Sequence, residues 1–150
     1  MRNARSSRPA LFPVHLLRGG LVLLLLLTGC QSKTPEEELV KAVQPVGSWL
    51  ASLEMTGRQW SANSVPASFV RSATKSADKE IEKASEAAEK STARPGLRDP
   101  IRALLAEAKD AGDSLRRAVD QGDRAGVARE VGRLGALHQR FDTLTKGLEE

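Results

Sequence analysis

The chain holds a single cysteine, no tyrosine, two tryptophans and three phenylalanines among its 150 residues. One cysteine closes no intrachain disulfide and builds no multi-cysteine zinc site, so nothing covalent staples this fold. Histidine is as scarce, with only His15 and His138. A di-iron helical bundle needs Glu-x-x-His pairs on two helices, and a Ser-His or Cys-His hydrolase needs a base near a recognisable nucleophile; neither arrangement is present. The absence of Cys-x-x-Cys-His excludes covalently attached haem. Carboxylates are plentiful, but 19 of them single out no pair for glycoside hydrolysis. The expectation is a protein that is not an enzyme, with no catalytic residues and no metal site.

The net charge of +4 and the pI near 9.6 overstate how basic the protein is. Residues 1–29 contain Arg2, Arg5, Arg8 and Arg18 and no acid. Removing those four from 23 basic residues leaves 19, against 19 acidic ones. From Cys30 onward the chain is formally neutral, and no nucleic-acid partner is inferred. The length suits one domain, with no room for two cores.

The amino-terminal segment has the order of a secretory signal: a basic start, the apolar run Leu21-Val22-Leu23-Leu24-Leu25-Leu26-Leu27, then small residues. The run is far shorter than the ~20 residues a membrane-spanning helix needs. No Arg-Arg pair precedes it, which favours general secretion over the twin-arginine route. Leu27-Thr28-Gly29-Cys30 resembles the lipobox of bacterial lipoproteins. The resemblance covers the first 30 residues and implies a diacylglyceryl group on the Cys30 thiol and cleavage between Gly29 and Cys30. Residues 1–29 would then be a removed signal peptide, and residues 30–34 a lipidated terminus and short tether. Family analogy also reads the second mature residue as a sorting signal. Gln31, where Asp would retain the protein at the inner membrane, implies the periplasmic face of the outer membrane. One acyl chain binds only marginally, whereas two or three anchor stably at about 0.8 kcal/mol per buried methylene.

Residues 35–150 read as one helical domain rich in alanine, leucine and charged residues. A first helix starts at Pro35, capped by Thr34 with Glu37 completing a capping box, and carries Leu39, Val43, Val46, Trp49, Leu50, Leu53 and Trp60. Pro45 falls inside it and is expected to kink or break it. A second helix begins near Val65-Pro66 and presents Phe69, Val70, Ala73, Ala77, Ile81, Ala84 and Ala88. Residues 92–98, with Pro95-Gly96, read as a loop. A third helix is expected from an Asp99 cap and Pro100, with Ile101, Leu104, Leu105, Ala108, Gly112, Leu115 and Val119 inward and Gly122 ending it. The fourth, capped by Asp123, carries Val127, Val131, Leu134, Leu137, Phe141, Leu144 and Leu148. The pattern predicts an all-α, up-down-up-down four-helix bundle. The alternative is a three-helix bundle with the first helix as a kinked arm. Only Gln31, Ser32, Lys33 and Thr34 separate Cys30 from the first helix, roughly 15 Å of reach, so the bundle is expected to sit close to the bilayer.

Two features suit a partner face. Trp49 and Trp60 stand eleven residues apart and project from nearly one side of the first helix; the plainer reading is core packing. Arg129, Arg133 and Arg140 share a stripe on the fourth helix, preceded by Arg116 and Arg117 on the third. The plainer reading there is a solvated face answered by Glu130, Asp123 and Asp142. Both point to an envelope protein partner for a non-catalytic module. The alternative is a carrier of haem b or a small ligand. The last two helices resemble those of four-helix-bundle b-type cytochromes in the Gly122 turn and Phe141. That resemblance implies His138, with Met55 on the first helix, as axial ligands. In that family the histidine lies about one turn further on, where this chain has Asp142.

Overall fold

The computed structural model describes residues 33–146. The expected signal peptide, Leu27, Thr28, Gly29 and Cys30, and Leu148 at the other end, lie outside the described residues. Within them the chain forms α1 (Pro35–Ser61), α2 (Ala67–Lys90), α3 (Pro95–Gln121) and α4 (Arg124–Lys146). Each runs for 23 to 27 residues, about 35–40 Å. α1 packs on α2 and α4, α3 packs on the same two helices, and α1 meets α3 across the interior. With short connections throughout, this is the up-down-up-down four-helix bundle. α1 is a full member of it, not an arm.

α1 begins as its sequence demands. The Thr34 hydroxyl accepts from the Glu37 N–H and the Glu37 carboxylate accepts from the Thr34 N–H, both at 3.2 Å. The helix continues through Pro45 unbroken. Proline removes the hydrogen bond to the Lys41 carbonyl, but Lys41 and Pro45 are both exposed, so water can serve that carbonyl.

α3 corrects the sequence reading. It starts at Pro95, not Pro100, and Pro100 lies inside it. Leu97 is the reason. It stands four residues before Ile101, extends the apolar stripe by one turn, and is buried with Ala93. Pro100 and Gly96, whose carbonyl it leaves unpaired, are exposed. α3 ends at Gly122 in the left-handed region (φ 69°), a conformation glycine adopts without a Cβ penalty. The Asp123 carboxylate then accepts from the Gly126 N–H at 2.9 Å.

α2 brings a second correction. Phe69 is 51% exposed, and the buried stripe is Val70, Thr74, Ala77, Ile81, Ala84 and Ala88. The buried stripe of α2 contains no two adjacent residues, and Phe69, about 100° round the helix from Val70, falls outside it. Thr74 is buried instead because its hydroxyl is spent on the Arg71 carbonyl at 3.0 Å.

Leu39, Val43, Leu50 and Leu53 of α1 meet Ile101, Leu105 and Leu115 of α3 and Val127, Leu134, Leu137 and Phe141 of α4 in one core. α1 and α4 pack tightly at Gly57. A Cβ there would stand 2.6 Å from Val131 Cγ2 and 3.3 Å from Leu115 Cδ1. The side chain of Val131 is stiff and buried, so it cannot yield cheaply. Gly57→Ala should therefore destabilise by about 1–2 kcal/mol, because overpacking outweighs the gain in helix propensity. Gly132, one residue along from Val131, has nothing within 4 Å of its Cβ position. Gly132→Ala should stabilise by about 0.5–1 kcal/mol. Urea melts of the two variants check the opposite signs; equal shifts would contradict this packing.

Candidate functional site

His138 is the one histidine of the bundle. It faces α1 at Gly47, where a Cβ would lie 3.8 Å from His138 Nδ1 and 3.9 Å from Asp142 Oδ1. His138 Nδ1 is buried and has no hydrogen-bond partner among the described residues. With Gln44, Ser48, Phe141 and Thr145 it borders a cavity of about 240 Å³, below the ~300–1,000 Å³ usual for small-molecule pockets. The Lys146 ammonium, donating to Asp142 at 3.0 Å, holds that carboxyl below its ordinary range. Met55 is 56% exposed and turned away from the interior. The structure does not bring the two haem-ligand candidates, His138 and Met55, together. Among the described residues no three His, Cys, Asp or Glu side chains cluster as metal ligands.

The tryptophans are half-buried and pack against the core. Trp60 also carries a charge on its face, with Arg124 Cζ 5.9 Å from the ring centroid. The Arg124 guanidinium donates at 2.7 Å to the Ser61 carbonyl and at 2.7 Å to Asn63 Oδ1, tying the start of α4 to the α1–α2 connection. Trp60 and Arg124 thus have a structural employment at that end of the bundle, which the spacing of tryptophans alone does not reveal.

The arginine stripe of α4 is spoken for across the α3–α4 seam. Arg140 reaches Glu107 with both guanidinium nitrogens, at 2.6 and 3.2 Å. Arg133 pairs with Asp110 at 2.7 Å and lies 3.7 Å from Glu130, while Arg129 lies 3.7 Å from Asp123. Asp123 and Glu130 answer the stripe as expected. Asp142 pairs with Lys146 instead, and Glu107 and Asp110 of α3 take the leading part. Arg140, through its hydrogen bond, holds Glu107 below the ordinary glutamate value of 4.5. A carboxylate with a depressed folded-state pKa contributes stability above its unfolded value and loses it as pH falls through the folded one. Both partners are solvent-screened, so the contribution is small. Thermal midpoints should fall below pH 4.5, and less steeply in Arg140→Ala; identical slopes would contradict the assignment.

Comparison with protein-family models, with curated proteins and with solved structures finds no match to this chain. Its chemistry therefore rests on the residues themselves. No helix of the described residues is long and apolar enough to cross a membrane. What they offer is surface: a ladder of ion pairs on α3 and α4, half-buried tryptophans on α1, and the end of the bundle where α1 starts. At that end Glu36 accepts from the Arg94 N–H at 3.2 Å, linking α1 to the α2–α3 connection. The sequence reading passed over this contact, which joins residues 58 positions apart.

Proposed function

We propose that the chain is a lipid-anchored helical lipoprotein of the cell envelope, facing the periplasm and acting as a non-catalytic interaction or structural module. The observation that carries this reading is the apolar run ending in Leu27-Thr28-Gly29-Cys30, followed within five residues by the capped start of α1. A thiol in that setting is an acylation site. A stable domain that begins immediately afterwards is held near the bilayer by its own chain. The outer membrane follows from Gln31 by analogy with lipoprotein sorting.

The interaction role draws on the surfaces that remain accessible. Arg129 is 71% exposed and reaches its carboxylate only at 3.7 Å, so its charge is open to a partner. Trp49 is half-exposed on the first helix. Photo-crosslinking residues placed at Trp49 and Arg129 in the native envelope should each yield a discrete protein adduct, identified by mass spectrometry. Adducts with lipid alone, or none at either position, would contradict the module reading.

A further inference from the structure

Met55 is the most exposed large apolar side chain among the described residues, at 56%. Gln44, Ser48, Ala51 and Met55 follow one another by four, three and four residues, so they share one face of α1. Ala128, Gly132, Gly135 and Gln139 repeat that spacing on α4. Gly47 against His138, and the Glu54 carboxylate 3.1 Å from a Cβ position at Gly135, mark the α1–α4 seam. Ser48 and Met55 stand one position outward of each, and no member of either stripe is buried. Neither stripe carries a charge. The ion pairs beyond them, Glu54–Arg58 and Asp142–Lys146, are each closed within one helix.

The two stripes are in register. Gly57 of α1 meets Val131 of α4. The helices are antiparallel, so Met55, two residues before Gly57, and Gly132, one after Val131, stand level to within about 1.5 Å. A protruding thioether and an open glycine, with nothing within 4 Å of its Cβ position, thus share one height on one uncharged face. Such a face complements itself. A two-fold axis parallel to the helices sets α1 of one copy against α4 of another at unchanged height.

We propose that this face pairs two copies of the chain side by side in the membrane, Met55 of each seated on Gly132 of the other. The inference rests on the lipid-anchor reading and goes beyond it in naming a second copy as partner. The anchor selects the axis: every copy is held at the start of α1, so all stand with the same end toward one leaflet and meet at equal height. Each stripe covers eleven residue steps, about 17 Å, and two helix rows 8–10 Å apart make a face of roughly 350 Å². Two copies bury about 700 Å², below the ~1,200 Å² of stable interfaces, so the pair forms only where the membrane plane concentrates it.

The test mixes acylated Met55→Cys and Gly132→Cys chains, one isotope-labelled, in phosphatidylcholine vesicles at low density, and oxidises them. Cys30, the single native thiol, is taken by the lipid. Intact-mass spectrometry separates the mixed dimer from the two like-with-like dimers. A disulfide needs Cα atoms within about 7 Å, so the mixed dimer should exceed either of the others about fivefold. Dispersal in detergent micelles before oxidation should abolish that excess. Mixed and like dimers in the proportions of random collision would overturn the pairing. A photo-crosslinking residue at Met55 in intact envelopes should capture a second copy at α4; capture of a different protein there instead would overturn self-pairing. Absence of the mixed dimer in chains that float with the vesicles would defeat this inference alone. Chains that carry no acyl group and do not float would defeat the anchor reading and this inference with it.

Discussion

Phe141→Ala should lower the unfolding free energy by about 3–5 kcal/mol, the largest stability effect expected of any single truncation in the bundle. Phe141 is 2% exposed and is the bulkiest fully buried side chain. It packs where α4 meets α1, beside the cleft of about 240 Å³ that His138 borders. Truncation would remove the largest buried side chain from a close-packed core whose neighbours can close the gap only in part. Against a typical total of about 5–15 kcal/mol, the loss is a large share of the protein's stability. Leu144, one turn further along and only partly buried, is the control: Leu144→Ala should cost about 1 kcal/mol. Urea unfolding followed by far-ultraviolet circular dichroism measures both. A smaller effect at Phe141 than at Leu144 would mean that α4 does not pack in this register.

Cys30→Ser should abolish fatty-acid labelling altogether and leave an uncleaved precursor. The proposed modification forms a thioether, and a serine hydroxyl lacks the nucleophilicity of a thiolate. The loss would be of kind and not degree, because Cys30 is the single thiol of the chain. The bundle itself should be unaffected, since α1 is capped by Thr34 and Glu37, downstream of Cys30. A helical circular dichroism spectrum in the precursor, with no incorporated label, is the expected combination. Normal cleavage of the serine variant would contradict the lipobox reading.

Much of this architecture was legible because its signals are local. The capping box at Thr34 and Glu37, the left-handed turn at Gly122 and the Asp123 cap each involve residues within a few positions of one another. The regular stripe of α4 requires nothing beyond its own period, and its members Val127, Val131, Leu134, Leu137 and Phe141 are all buried. The misreadings came where a local rule met a tertiary one. Pro95, Gly96 and Pro100 carry loop chemistry, yet the burial of Leu97 makes the extra turn of α3 worthwhile. Phe69 looks like a core residue by composition, but Thr74 occupies the inward position because its own helix satisfies its hydroxyl.

The candidate site was less legible. That Arg133 and Arg140 belong to Asp110 and Glu107 depends on how α3 lies beside α4, which no spacing within α4 encodes. The contact of Glu36 with Arg94 likewise follows from the antiparallel return of α2, which brings its carboxyl-terminal end back to the start of α1. His138 and Met55 are scarce residues that the cytochrome resemblance implies as a pair, but neither scarcity nor resemblance fixes direction: one faces Gly47 and the other faces solvent.

The covalent state of the mature amino terminus tests the lipid anchor most directly. Intact-mass spectrometry of the protein extracted from envelopes should give a chain that begins at Cys30 and carries the added mass of a diacylglyceryl group, with or without an amide-linked acyl chain. A mass matching an unmodified chain, in protein that dissolves from envelopes in detergent-free buffer, would contradict it.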